Sequence, residues 1–126
     1  MKRIIHTNQA PAPIGPYSQA VAFGDTLYVS GQIAIDPKSG ALNMNTLEQE
    51  TEQVMQNLKA VLAAAGADFS NVLKSTIFLS DMKLFADVNA IYARYFNENP
   101  PARETVQVAG LPKGVNVEIS VIAGLY

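Results

Sequence analysis

Alternating and helically spaced hydrophobic positions divide this chain into a recognisable series of elements. Residues 2–6 read as a short edge strand. From Gln19 to Phe23 and from Thr26 to Ile35 the pattern is strand–turn–strand, with Gly24-Asp25 at the turn. In the second of these strands Leu27, Val29, Ile33 and Ile35 share a face with Gly31, and Tyr28, Ser30 and Gln32 share the other. A glycine inside a strand predicts a bulge or a close approach by another backbone or a ligand. Asp36 to Gly40 is a turn. A helix is predicted from Thr46 to Ala65, capped by Asn45 or Thr46 and stopped at Gly66, with Leu47, Val54, Leu58, Val61, Leu62 and Ala65 forming its apolar stripe. Val72 to Leu79 reads as a strand. A second helix is predicted from Leu84 to Asn97, burying Phe85, Val88, Ile91, Tyr92, Tyr95 and Phe96, with Asn89 on the flank of that stripe.

The stretch from Pro100 to Ile119 gathers most of the unusual chemistry. Two prolines end the preceding helix, since proline lacks an N–H and clashes with the previous turn. A short strand follows, with Val106 and Val108 on one face and Arg103, Thr105 and Gln107 on the other. Gly110, Pro112 and Gly114 mark a turn. A last strand, from about Val115 to Ala123, places Val117, Ile119, Val121 and Ala123 on one face and Glu118, Ser120 and Ile122 on the other.

Two amphipathic helices and about six strands predict an α+β fold: a mixed sheet with both helices on one face, in one domain spanning 1–126. The valine-bearing strand faces would meet the helices. The opposite face would carry Ser30, Gln32, Arg103, Thr105, Gln107, Glu118 and Ser120 among Tyr28, Phe78 and Ile122. Such a face is too apolar for open water and too polar for a plain core. Packing against copies of itself resolves the conflict, so a homo-oligomer with a partly polar cavity between subunits is expected.

Composition narrows the chemistry. The 126 residues are 48% hydrophobic and 16% charged, enough for a core. A net charge of −2 without any basic run argues against nucleic-acid binding. There is no cysteine, which excludes disulfides and thiolate chemistry, and the carboxylates are not clustered for a metal. His6 is the only histidine, so a Ser-His-Asp triad is not expected; no Walker or dinucleotide fingerprint occurs. Met1 to His6 has no long apolar run, which speaks against a signal peptide or membrane span and for a cytoplasmic protein.

What remains is Arg103, Glu118, Tyr17, Ser30 and Asn89. A guanidinium can grip a carboxylate through two parallel hydrogen bonds, and a carboxylate can hold or activate a water. By themselves Arg103 and Glu118 fit a structural ion pair better than a catalytic one. Tyr17 and Ser18 end a loop, Asn8 to Ser18, stiffened by Pro11, Pro13 and Pro16; such a loop can hold a side chain over a pocket or simply pack.

Together these pieces resemble the RidA (YjgF) family. The residues that carry the resemblance are Ile14-Gly15-Pro16-Tyr17-Ser18, Ser30-Gly31-Gln32-Ile33, Pro101-Ala102-Arg103 and Val117-Glu118-Ile119, in order and spread over essentially the whole chain. The resemblance implies a chorismate-mutase-like fold and a homotrimer with ligand clefts between subunits. It also implies hydrolysis of reactive 2-aminoacrylate-type enamines and imines, including 2-iminopropanoate and 2-iminobutanoate, to 2-keto acids and ammonia. Neither cofactor nor metal is implied. Arg103 would clamp the substrate carboxylate and Glu118 would polarise the attacking water. Tyr17 would close the pocket from a neighbouring subunit, with Ser30, Gly31, Asn89 and Thr105 lining it. Glu104, Thr105 and Gly110 stand where many members carry a small residue, cysteine and arginine, which bears on substrate range. A non-catalytic module sensing small carboxylates would use the same pocket; an RNA-acting protein fits the acidic charge poorly.

Overall fold

A computed structural model describes all residues, 1–126. Six strands, β1 (Arg3–Ile5), β2 (Ala20–Phe23), β3 (Thr26–Gln32), β4 (Val72–Leu79), β5 (Ala102–Gln107) and β6 (Val117–Gly124), form one sheet in the order β1-β2-β3-β6-β4-β5. All neighbours are antiparallel except β4 and β5. The sheet is therefore mixed, as expected. Its parallel pair is joined through helix α2 (Phe85–Ala93), because parallel strands need a crossover.

The other helix, α1 (Leu47–Ala64), begins where the Thr46 side chain accepts the Gln49 N–H at 3.0 Å. Val54, Leu58, Val61 and Leu62 are fully buried, so the expected stripe is the buried one. They meet Ala22, Leu27, Val29, Ile77, Leu79, Val117, Ile119 and Val121 on one sheet face, with Val88 and Tyr92 of α2 in the same core. Truncating a residue such as Leu58 to alanine would cost about 2–5 kcal/mol.

Three expectations need correction. The strand from Thr26 stops at Gln32 instead of Ile35. Val29 pairs with Val121 and Gln32 with Ile119, so Ser30 and Gly31 together face one residue of β6. This bulge reverses the alternation and turns Gln32 into the helix side, where it is buried. Helix α2 ends at Ala93 instead of Asn97. The N–H groups of Arg94, Tyr95 and Phe96 bond three residues back, and this tighter turn places Tyr95 and Phe96 against Phe69.

The third correction matters most. Arg103 is in register with Ser75 and Thr105 with Ile77, and both partners are buried beneath the helices. Arg103, Thr105 and Gln107 therefore lie on the helix face, and Val106 lies on the open face, 40% exposed. Glu118, in register with Phe78, is on the open face. Strand alternation correctly groups the residues of β5 with one another. It does not say which group faces the helices, and on this parallel edge strand the valine is the outward one.

Candidate active site

All the expected site residues but Thr105 fall into two hollows that share no residue. The first, of about 360 Å³, is lined by Tyr17, Ser30, Gly31 and Glu118, with Ile14, Ile33, Ile35 and Pro112 as apolar walls. The second, of about 450 Å³, is lined by Asn89, Arg103, Tyr92, Phe96 and Pro100-Pro101.

The first hollow is built on the bulge. With no Cβ at Gly31, the Glu118 side chain lies directly over its backbone: an added Cβ would sit 2.1 Å from Oε2. The carboxylate is half-buried, and burial raises its pKa above the ordinary glutamate range. Ser30 donates its hydroxyl to the Ser18 carbonyl at 2.6 Å, and its N–H bonds the Gln19 carbonyl at 2.9 Å. These bonds pin the end of the proline-rich loop to β3. Tyr17 stands at the rim, half exposed, its hydroxyl oxygen accepting the Ile14 N–H at 3.3 Å.

Sequence reasoning passed over Gln19, which holds this loop in place. It is 2% exposed. Its Nε2 donates to the carbonyls of Thr7, Ala10 and Pro11, and its Oε1 accepts the Thr7 N–H at 2.8 Å. A loop rich in proline cannot satisfy its own carbonyls, and one buried amide does so here. A glutamine directly after a stiff loop and before a strand was the available signal.

In the second hollow, Arg103 donates to Asn89 Oδ1 at 2.7 Å. Its guanidinium carbon lies 5.1 Å from the Tyr92 ring centre and 5.5 Å from that of Phe85. Two rings and one amide of α2 thus orient a cation that has no carboxylate partner; the chain's ion pairs involve only Lys74 and Arg94. The structural Arg103–Glu118 ion pair is excluded. Asn89 lines this hollow and orients Arg103. Tyr92, expected only in the buried stripe of the second helix, also lines this hollow and donates its hydroxyl to Ser75 beneath Arg103 at 2.9 Å. Glu104 points to the opposite face, 3.2 Å from Lys74, so it does not compete for Arg103. Thr105 lines neither hollow, and its buried Oγ1 has no hydrogen-bond partner.

Fold and hollows define a small α+β protein with an uncompensated guanidinium in a hollow on one sheet face and a desolvated carboxyl in another on the opposite face. The chain belongs to the YjgF/RidA family: residues 7–125 match the family described as endoribonuclease L-PSP. It is 50% identical over 123 residues to the mouse 2-iminobutanoate/2-iminopropanoate deaminase, covering 98% of this chain and 91% of that one. It is also 50% identical to a RutC family protein of Pyrococcus horikoshii, covering 98% of each. Among solved structures it resembles RidA of the Antarctic bacterium Psychrobacter, with a TM-score of 0.93, 43% identity, and 97% and 98% of the two chains covered. Escherichia coli TdcF with bound serine gives a TM-score of 0.93 at 38% identity, with 97% and 98% covered. No helix is long and apolar enough to cross a membrane.

Proposed function

We propose that this protein hydrolyses 2-imino acids of the 2-iminopropanoate and 2-iminobutanoate type, together with their enamine tautomers, to 2-keto acids and ammonia. The reaction would take place in a homotrimer whose sites form between copies. The observation that carries this reading is the division of the site. Arg103 and Glu118 lie on opposite faces of one sheet, so one copy cannot close both around a small molecule. A second copy seated on the open face would bring its Arg103 hollow against the Glu118 hollow of the first. The open face suits a protein partner: Tyr28, Val106 and Leu73 are exposed beside Ile122 and Phe78.

In this arrangement Arg103 holds the substrate carboxylate through its fork, pre-oriented by Asn89, Tyr92 and Phe85. Thr105 lies on the same strand face, and its buried, unpaired hydroxyl would become a further partner for that carboxylate only after a shift that opens it to the hollow. Glu118 takes a proton from water as its oxygen bonds to the imine carbon. It then returns the proton to nitrogen, and the carbinolamine collapses to keto acid and ammonia. A carboxyl whose pKa is raised by burial suits both steps. Tyr17 and Ser30 border the reacting centre. The imine carbon is already electrophilic, so positioning supplies much of the catalysis. The deaminase names of the mammalian relatives support the assignment.

The test couples the protein to a threonine dehydratase with threonine and semicarbazide, which traps free imine. Less semicarbazone with wild type, but not with Arg103→Ala, is the expected result. Equal trapping with both would move the assignment to a carboxylate-binding module without turnover.

A further inference from the structure

Glu50 is a carboxylate with no solvent exposure, in the first turn of α1, outside both hollows. It does not cap the helix, which Thr46 does, and no cation pairs with it. Its contacts are three N–H donors from the start of β6. Oε2 accepts from Asn116 N at 2.7 Å and Val117 N at 3.2 Å, and Oε1 accepts from Asn116 Nδ2 at 2.8 Å. The far side of Asn116 is equally committed: Oδ1 accepts from Ser80 Oγ at 3.2 Å, and its carbonyl accepts from Ser80 N at 3.0 Å.

An ion buried without a counter-ion costs several kcal/mol, and a well-packed apolar residue would close this core more cheaply. What the carboxylate supplies is geometry. It is an acceptor only, and both oxygens are used. The sheet holds the start of β6 from one side only: Val117 pairs with Leu79 of β4, but the β3–β6 ladder ends at Gln32 and Ile119, so its β3 side has no strand partner. The turn before it, with Lys113 and Gly114 at φ of 56° and 68°, is closed by its own N–H bonds to Leu111 and Pro112 and by Val115 packed against Ile33 and Ile35, and Glu50 carries that fixed turn into the strand. Glu118 follows Val117 directly.

We propose that Glu50 is a positioning residue for Glu118, fixing the start of β6 from helix α1 so that the Glu118 carboxyl lies over Gly31. The catalytic consequence rests on the function proposed above; the geometric one does not. Arg103 is held by α2 and β5, so carboxylate binding stays independent of Glu50.

The test is a swapped pair. In Glu50→Gln the introduced amide nitrogen faces the Asn116 amide nitrogen, donor against donor. In Asn116→Asp two carboxylates face each other. In the double variant, Glu50→Gln with Asn116→Asp, the introduced amide nitrogen donates to the introduced carboxylate. The amide oxygen again accepts the main-chain N–H groups at positions 116 and 117. Each single variant should lower kcat about 10-fold or more with KM within about 2-fold, and the double variant should recover most of kcat. The Gly31 amide and Glu118 carboxyl NMR signals should move in the singles and return in the double. Singles with unchanged kcat and signals overturn the proposal, as does a folded double variant that recovers neither. If the singles do not fold, the double decides alone: wild-type signals support the proposal, and any other result overturns it. Should wild type hydrolyse no imine, the proposed reaction fails while the NMR signals still decide the role of Glu50.

Discussion

The carboxyl of Glu118 fills the space that a side chain at position 31 would occupy. The nearest approach of an added Cβ is 2.1 Å to Oε2, with Cδ at 2.9 Å and Cγ at 3.1 Å. Gly31 is needed here for room, since its backbone is not in the left-handed region.

Gly31→Ala should therefore leave the fold intact and displace only the end of a flexible side chain. Imine hydrolysis should fall on the order of 100-fold, the usual effect of moving a catalytic group by about 1 Å. Melting temperature and turnover measured on the same sample check both halves. A variant with full activity would show that Glu118 need not sit over the bulge.

The raised pKa of Glu118 makes a signed prediction for stability. Its charged form is disfavoured in the folded protein by burial, so above that pKa the ionised side chain lowers stability. Glu118→Gln should melt higher than wild type at neutral pH. The advantage should shrink as pH falls through the raised pKa and vanish below the ordinary glutamate range, where both proteins are uncharged at this position. Melting curves at several pH values decide it. Hydrolysis by wild type should lose rate over the same acid range, because the base form is needed to take the proton from water.

Site sharing is open to complementation. Arg103→Ala and Glu118→Gln should each be inactive alone. Unfolded together in equal amounts and refolded, they should recover about a quarter of wild-type activity, since one interface in four of a random cyclic assembly joins an intact Arg103 to an intact Glu118. No recovery from properly assembled mixtures would place both groups of each working site in one chain.

Gln19→Leu should strip the proline-rich loop of its internal partners. Three carbonyls and the Thr7 N–H would lose their bonds, and the loss of stability should reach at least about 2 kcal/mol. Urea unfolding measures this. Because the same loop carries Tyr17, KM should rise as well. Faster hydrogen exchange at the Thr7 amide would locate the damage.

Much of this fold is legible in the amino-acid sequence. The stripe of α1 and the outlines of five strands follow from spacing alone. Gly31 announced itself as a bulge or a close approach, and it is both. Three kinds of information were hidden. The inward turn of Gln32 depends on one unpaired residue, which alternation cannot count. The facing of Arg103 depends on how β5 docks beside β4, a choice made by the α2 crossover and by the rings that receive the guanidinium. Glu50 and Gln19 bond mostly main-chain groups, which side-chain patterns do not show; for Gln19 its place between the stiff loop and a strand was the one available signal, and Glu50 had none.

The register along β4 has a parity. Arg103 is aligned with Ser75 and Glu118 with Phe78, three positions apart, and an odd step means opposite sides of the sheet. The parity keeps the guanidinium and the carboxyl of one chain on opposite sides, where neither can neutralise the other. The pairing of β6 with β3 and the burial of Val117, Ile119 and Val121 hold Glu118 to its side, while Ser75 and Ile77 hold the β5 residues to theirs. A cation kept free for a ligand is thus secured by counting along a strand and needs no repelling group.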